Sequence, residues 1–243
     1  MELVHQKKIK ITEGNSDTKG RLSVIKLLDH LQIIAGEHAD ILHFGIKDLN
    51  KGNETWVLSR LRVETDRMPA FGETAILKTW PKGIDKLFAI RDFMIIDNDG
   101  NTIVRAASYW LIVDRTNMRP KAISTFFTNI DYPKLSAIDE KLVKVPSFTK
   151  LLYSSEVKTT EKEIDINGHI NNVWYAHWFM SAIPEDIKNK KDITCFEINY
   201  LAEVFANETL NVEIGSADND ANLLLGSIKR NNREVCRAKI HFE

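Results

Sequence analysis

Asp165, Asn167 and His169 stand one residue apart immediately before a run of apolar and aromatic residues that predicts a helix. In an extended approach to that helix, side chains at alternate positions point to one face. A carboxylate, an amide and an imidazole gathered beside a helix N-terminus, where unpaired backbone N–H groups point outward, can hold a carbonyl and stabilise the oxyanion developing on it. The same residue types have a plainer use, because Asp and Asn commonly cap helices, and residue type alone favours that use for Asp165 or Asn167. Glu203, at the end of the strand-like run 196–204, is a second carboxylate. It has the chemistry of a general base and equally that of a solvated strand-end charge.

An internal repeat weighs these readings against each other. Asp17-Thr18-Lys19-Gly20-Arg21-Leu22 lies over Asp165-Ile166-Asn167-Gly168-His169-Ile170 at an offset of 148, and Phe71-Gly72-Glu73-Thr74 lies over Ala206-Asn207-Glu208-Thr209 at an offset of 135. Asp and Gly recur at the helix entry, whereas Lys19 and Arg21 stand in place of Asn167 and His169, and Met68 stands in place of Glu203. The repeated architecture therefore needs the shared Asp and Gly only. Asn167, His169 and Glu203 answer to some other demand.

The elements that must position these residues also occur twice. Residues 20–41 carry apolar side chains at Leu22, Ile25, Leu27, Leu28, Leu31, Ile33 and Ile34, which predicts a largely buried helix. Alternation then predicts strands over 55–65, 73–80, 87–97 and 102–114, the last two joined across Asn98-Asp99-Gly100. The second half repeats the order with a helix over 168–182 and strands over 194–204, 208–214, 221–229 and 233–242, with Asn231-Asn232 as the final turn. Between them residues 115–149 hold Pro120, Pro133 and Pro146 without periodicity and read as a long surface connection. We place the boundary near residue 145, giving repeats 1–145 and 146–243. The class is α+β, with each antiparallel sheet wrapping its own helix and pairing edge to edge with its twin, which removes exposed edges. Apolar Phe126, Phe127 and Ile130 in the connection favour this over two tethered domains.

Composition excludes several function classes. Thirty-three Lys and Arg against 34 Asp and Glu leave a net charge of -1 in 243 residues, which argues against nucleic acid or a membrane surface as a partner. Cys195 and Cys236 sit in apolar runs without metal-ligand or redox spacing, so we expect core thiols, no metal and no cofactor. His38, His43, His177 and His241 have no partner spacing and are expected to be structural or on the surface. No apolar run approaches the ~20 residues of a spanning helix, and the opening MELVHQKKIKI lacks a secretory signal pattern, so the expected compartment is the cytoplasm.

The segment Asn167-Gly168-His169-Ile170-Asn171-Asn172-Val173-Trp174-Tyr175 resembles the NQHVNNVKY segment of plant and bacterial acyl-ACP thioesterases, where ACP is acyl carrier protein. The likeness continues through Trp56-Val57-Leu58-Ser59-Arg60, Thr79-Trp80-Pro81-Lys82-Gly83, Leu87-Phe88-Ala89-Ile90-Arg91-Asp92-Phe93, Arg105-Ala106-Ala107-Ser108, Val113-Asp114 and Arg119-Pro120. The resemblance implies a tandem (double) hot-dog fold in which the N-terminal repeat shapes an acyl pocket and the C-terminal repeat carries the chemistry. It implies hydrolysis of fatty acyl-ACP, with catalytic roles for Asp165, Asn167, His169 and Glu203. The implied partner is ACP with its acyl-phosphopantetheine, and the composite unit can also form a homodimer.

One departure bears on mechanism. Where the family reads EYRREC, this chain reads Asn199-Tyr200-Leu201-Ala202-Glu203-Val204, so Val204 replaces a cysteine and a thiolate nucleophile there is excluded. The expected route is attack by water activated by Glu203, with Asn167 and N–H groups at a helix start near Gly168 polarising the carbonyl. A thioesterase for acyl-CoA would use the same residues, and a non-catalytic acyl-binding module would not need them. Because carrier proteins are acidic, Lys188, Lys190 and Lys191 are candidates for docking.

Overall fold

The computed structural model describes residues 3–123, 126, 127, 130–217 and 220–243. Met1, Glu2 and residues 124, 125, 128 and 129 of the connection lie outside the described residues. The chain divides into two compact units, Met1–Leu142 and Val143–Glu243.

The first unit runs β1 (His5–Lys10), α1 (Val24–Ile41), α2 (Ile46–Asn50), β2 (Glu54–Thr65), β3 (Thr74–Asp85), β4 (Phe88–Ile96) and β5 (Thr102–Asp114). Its strands are antiparallel in the order β1-β3-β4-β5-β2. The second unit runs β6 (Lys150–Lys158), α3 (Asn172–Ala182), α4 (Glu185–Lys190), β7 (Ile193–Tyr200), β8 (Thr209–Ser216), β9 (Leu223–Arg230) and β10 (Arg233–Phe242). Matched strand for strand, its order β6-β8-β9-β10-β7 is that of the first unit. Each unit is a hot-dog repeat: a long helix followed by an antiparallel meander, with one strand preceding the helix.

The strands preceding the helices, β1 and β6, carry no usable alternation. In β1 Lys7, Lys8 and Lys10 are exposed and Ile9 alone is buried, and no residue of β6 is buried. Each lies at the end of its unit's order, where charged residues blunt a free edge. The helices begin later than the apolar pattern predicts. Ser23 caps α1, its hydroxyl accepting from Lys26 N, and Asn171 caps α3, its side chain accepting from Val173 N. Residues 20–22 and 168–170 instead belong to a tight loop ahead of each helix.

In α1, Leu27, Leu28, Leu31, Ile34, Ala35 and His38 recur at helical spacing and are buried, at about 1.5 to 3 kcal/mol for each large aliphatic group. His38 receives a bond from Arg91 Nη1 on Nδ1 (3.0 Å), and the same nitrogen of Arg91 reaches Thr79 Oγ1 (3.1 Å). Burial pushes the Arg91 guanidinium down to about 10. In α3, Phe179 is fully buried against β9, where a Cβ on Gly226 would stand 2.5 Å from the ring. A side chain at 226 would lift the helix off the sheet.

The connection after β5 is more than a surface crossing. Ile123, Ile138, Leu142 and Val145 are buried, the first three in the first unit and Val145 in the second. In the first unit polar groups latch the chain at residues 135–138. Trp80 Nε1 donates to Leu135 O (3.2 Å), Ala137 N donates to Asp92 Oδ2 (2.7 Å), and Lys82 Nζ reaches Ser136 Oγ (2.7 Å) and Ile138 O. Lys82 also lies 3.3 Å from Asp92, a carboxylate with no exposed surface. Without periodicity in this stretch, its buried residues could not be distinguished from the exposed ones around them.

Candidate active site

The loop ahead of α3 is built twice in the chain, and comparing the copies shows what is particular to the second. In both, a Thr-anchored 3-10 turn (Glu13–Asn15; Glu161–Glu163) leads into a narrow loop closed by one bridge, Ser16 to Leu22 and Ile164 to Ile170. Asp17 N donates to Arg21 O (2.6 Å) as Asp165 N donates to His169 O (2.8 Å). Gly20 N donates to Asp17 O (3.0 Å) as Gly168 N donates to Asp165 O (3.1 Å). The turn requires a positive φ at its glycine, +69° at Gly20 and +83° at Gly168, which explains why Asp and Gly are the shared residues.

The copies part at the aspartate side chain. Asp17 Oδ1 accepts from both Lys19 N and Arg21 N (2.9 Å each). Asp165 Oδ1 accepts from Asn167 N (2.8 Å), while Oδ2 holds the Asn167 amide Nδ2 at 3.4 Å. Among the described residues the His169 N–H has no acceptor, although its counterpart in Arg21 has one. Asp165, Asn167 and His169 are half-buried while Ile166 and Gly168 between them, and Ile164 just ahead, are exposed. The three polar residues thus share one side, but of a tight turn rather than of an extended approach.

Three further expectations are corrected. Gly168 lies four residues ahead of the helix and its N–H is already bonded to Asp165 O, so it does not supply an open helix-start donor. Neither Asp165 nor Asn167 caps α3, because Asn171 does. Glu203 does not close a strand: β7 ends at Tyr200, and Glu203 sits in the loop beyond it.

That loop meets the first at one backbone bond, Ile170 N to Val204 O (2.9 Å), the equivalent of Leu22 N to Pro69 O (2.9 Å). Across it His169 Nε2 lies 3.3 Å from Glu203 Oε2, each side chain about one-third exposed. Phe205 stands edge-on to the His169 ring, 5.0 Å between centroids. The structure therefore brings together all four residues singled out from the sequence, as two touching pairs, Asp165–Asn167 and His169–Glu203. Among the described residues no group of three or more His, Cys, Asp or Glu side chains is placed to hold a metal ion.

Several residues around the site carried no chemical signal in the sequence. Tyr175 Oη donates to Ala202 O (3.4 Å) and Tyr200 Oη to Asn172 O (3.1 Å), and burial pushes both phenols far up, so both remain hydrogen-bond donors. Arg230 Nη1 donates to Glu203 O (3.2 Å) and to both oxygens of Glu208 (2.9 Å each). Glu208 was visible only as the repeat partner of Glu73. Of the lysines expected from the sequence to dock a carrier, Lys188 donates to Met180 O (2.9 Å) and Glu185 (2.7 Å), and Lys191 to Asn222 (2.6 Å).

The sequence and the fold both have known relatives. Residues 2–130 match the model of the acyl-ACP thioesterase N-terminal domain, and residues 149–243 match that of the C-terminal domain. The chain belongs to the acyl-ACP thioesterase family. An acyl-ACP thioesterase from Bacteroides thetaiotaomicron is 32% identical, with a TM-score of 0.87 over 99% of this chain and 98% of that one. The 12:0-ACP thioesterase from Umbellularia californica shares the tandem hot-dog fold at 20% identity, with a TM-score of 0.87 over 100% of this chain and 98% of that one.

Among curated acyl-ACP thioesterases, the chloroplastic palmitoyl-acyl carrier protein thioesterase of Arabidopsis thaliana is 28% identical over 196 residues, covering 74% of this chain and 47% of its own length. The chain spans about half the length of such curated relatives. No helix among the described residues is long and apolar enough to cross a membrane. The family landmarks in the first repeat prove to be structural in part, since Trp80, Lys82 and Asp92 are the residues that latch the connection.

Proposed function

We propose that this chain hydrolyses the thioester of fatty acyl-ACP, releasing the fatty acid and the carrier's free thiol. The observation that carries the reading is the His169–Glu203 contact at 3.3 Å beside the Asp165–Asn167 pair. Lys19, Arg21 and Met68 stand at the equivalent places in the first repeat, and none of them is a carboxylate or an imidazole. The reading assigns the chemistry to residues 146–243 and acyl-chain binding to residues 1–145, with the cytoplasm as the place of action.

In the proposed reaction Glu203 takes a proton from water, whose oxygen attacks the thioester carbon. The negative charge that forms on the carbonyl oxygen is met by two donors on one loop, the Asn167 side-chain amide and the His169 backbone N–H. Asp165 fixes the direction of that amide, and the His169 N–H is open to a ligand because Asp165 does not take it. As the C–S bond breaks, the thiolate receives a proton through His169, so water supplies both the hydroxyl of the acid and the hydrogen of the thiol. A positioned base contributes about 10² to 10⁴ in rate and one oxyanion donor about 10² to 10³. Val204 is buried with no exposed surface and is no nucleophile, so the reading takes water rather than a thiolate at that position as the attacking group.

Thiol release from matched acyl-ACP and acyl-CoA substrates of several chain lengths tests the reading. Faster turnover of acyl-ACP supports it. Equal or faster turnover of acyl-CoA makes the chain a general thioesterase, and turnover of neither makes it an acyl-binding module.

A further inference from the structure

The loop that carries Glu203 is held carbonyl by carbonyl. Residues 202–205 offer four consecutive backbone oxygens, and each accepts a bond from a different part of the second unit. Tyr175 Oη donates to Ala202 O (3.4 Å), Arg230 Nη1 to Glu203 O (3.2 Å), Ile170 N to Val204 O (2.9 Å) and Thr159 Oγ1 to Phe205 O (2.7 Å). Phe205 N in turn donates to Glu208 Oε2 (3.2 Å), and Arg230 bonds both oxygens of Glu208.

The first repeat solves the same loop without this arrangement. Glu73, the counterpart of Glu208, likewise accepts a backbone amide, from Ala70 N (2.9 Å). Its arginine, however, is Arg67, which lies within the loop and spans Glu73 (3.0 Å) and Asp97 (3.0 Å). At the offset of 135 the place of Arg67 is taken by Ala202. The second repeat recruits its arginine from the end of β9 instead. Either source serves the fold, but only the β9 source puts a guanidinium on the carbonyl of the residue that faces His169.

We propose that Arg230, braced by Glu208, is a positioning residue that fixes the backbone of Glu203 and so aims its carboxylate at His169 and the attacking water. Arg230 touches neither substrate nor the reacting atoms. Its effect passes through Glu203, and the proposal rests on Glu203 being the base. Misplacing a reacting group by about 1 Å is enough to cost about 10²-fold in rate.

The test is a double-mutant cycle between Arg230→Gln and Glu203→Gln, read as kcat and KM for acyl-ACP, with folding followed by thermal denaturation. The expected result for Arg230→Gln is a kcat lowered about 10- to 100-fold with KM within about twofold, since binding energy is untouched. Arg230→Lys should recover part of the loss, because an ammonium keeps the charge and the donors that Glu208 and the Glu203 carbonyl accept but carries them on a flexible stem in place of the rigid, planar guanidinium. In the Glu203→Gln background the second substitution should lower the residual rate no further. Turnover of Arg230→Gln at the wild-type level, or losses that multiply in the double variant, overturns the proposal. If Arg230→Gln does not fold, Arg230→Lys is carried through the same cycle and judged by the same criterion. Near-full turnover of Glu203→Gln alone overturns the base assignment and this proposal with it, whereas a crippled Glu203→Gln beside an unaffected Arg230→Gln counts against Arg230 only.

Discussion

Ile170 donates its backbone amide to Val204 O at 2.9 Å, and the residues just upstream of each, His169 and Glu203, meet side chain to side chain at 3.3 Å. One hydrogen bond between two loops thus sets the register of the candidate reacting pair. The fold had this bond available already, since Leu22 and Pro69 make it in the first repeat. The second repeat changed the flanking residues and kept the clasp.

Substitutions in the set should separate rate from folding. Asn167→Ala and His169→Ala should lower kcat by about 10² to 10³ and about 10² to 10⁴ respectively, the ranges for one oxyanion donor and one proton-transfer group. Both side chains are half-buried in a loop closed by backbone bonds, so melting temperatures should stay close to that of the unsubstituted chain. Steady-state kinetics beside thermal denaturation checks both halves, and parallel loss of stability and rate would assign the two residues to the scaffold.

Gly226→Ala should destabilise the second unit by about 1 to 3 kcal/mol, the usual cost of overpacking. The new Cβ would meet Phe179, 2.5 Å from Cε1, and that ring is wholly buried under α3. Urea denaturation measures the loss, and combining the change with Phe179→Leu should recover part of it.

How far the sequence disclosed this arrangement depended on whether a residue left a periodic trace. Strands Thr102–Asp114 and Arg233–Phe242 were bounded to the residue, each being a β-rich run that opens directly after a turn, Asn98-Asp99-Gly100 and Asn231-Asn232. Strands β1 and β6 were missed because outer strands with one buried side chain or none have no alternation to read. The loop ahead of α3 was mistaken for the helix start because apolar Ile170 continues the helical pattern, although a positive φ at Gly168 breaks it. Asp165, Asn167, His169 and Glu203 were legible through the repeat, which supplied a second loop of the same build with other residues. Arg230 was not, since its role depends on β9 ending beside the Glu203 loop, a relation of tertiary structure.

The latch on the connection should show a pH signature. Burial raises the Asp92 carboxyl above its ordinary value of 3.8, opposed by Lys82 and the Ala137 amide. A raised carboxyl pKa means that the folded state holds its proton more tightly than the unfolded chain does. Its contribution is therefore favourable at low pH and is lost as pH rises through the folded-state value. Lys82→Met removes the countercharge and should destabilise the first unit at neutral pH by about 3 kcal/mol, as when one partner of a buried pair is deleted. The deficit should shrink as the pH falls and Asp92 protonates. Urea titrations of both proteins across acidic and neutral pH check this, and a deficit independent of pH would contradict it.

Glu73 should behave in the opposite sense. Hydrogen bonds from Arg67, with help from the Ala70 amide, hold its carboxyl below the ordinary 4.5. A depressed pKa gives stability that is present above the unfolded-state value and is lost as pH falls through the lower folded-state value. Glu73→Gln should therefore be less stable than the parent at neutral pH, with the gap closing below pH 4.5. Denaturation midpoints measured from neutral pH into that acidic range decide it, and a constant gap would assign the loss to packing.

The central claim, that Glu203 activates water against a carrier-borne thioester, is tested most directly by single-turnover hydrolysis of acyl-ACP by the purified chain and by Glu203→Gln at matched folding stability. The account predicts release of fatty acid and free carrier thiol by the parent and a rate about 10² to 10⁴ lower in the variant, the range for a general base. Near-parental hydrolysis by Glu203→Gln would contradict it.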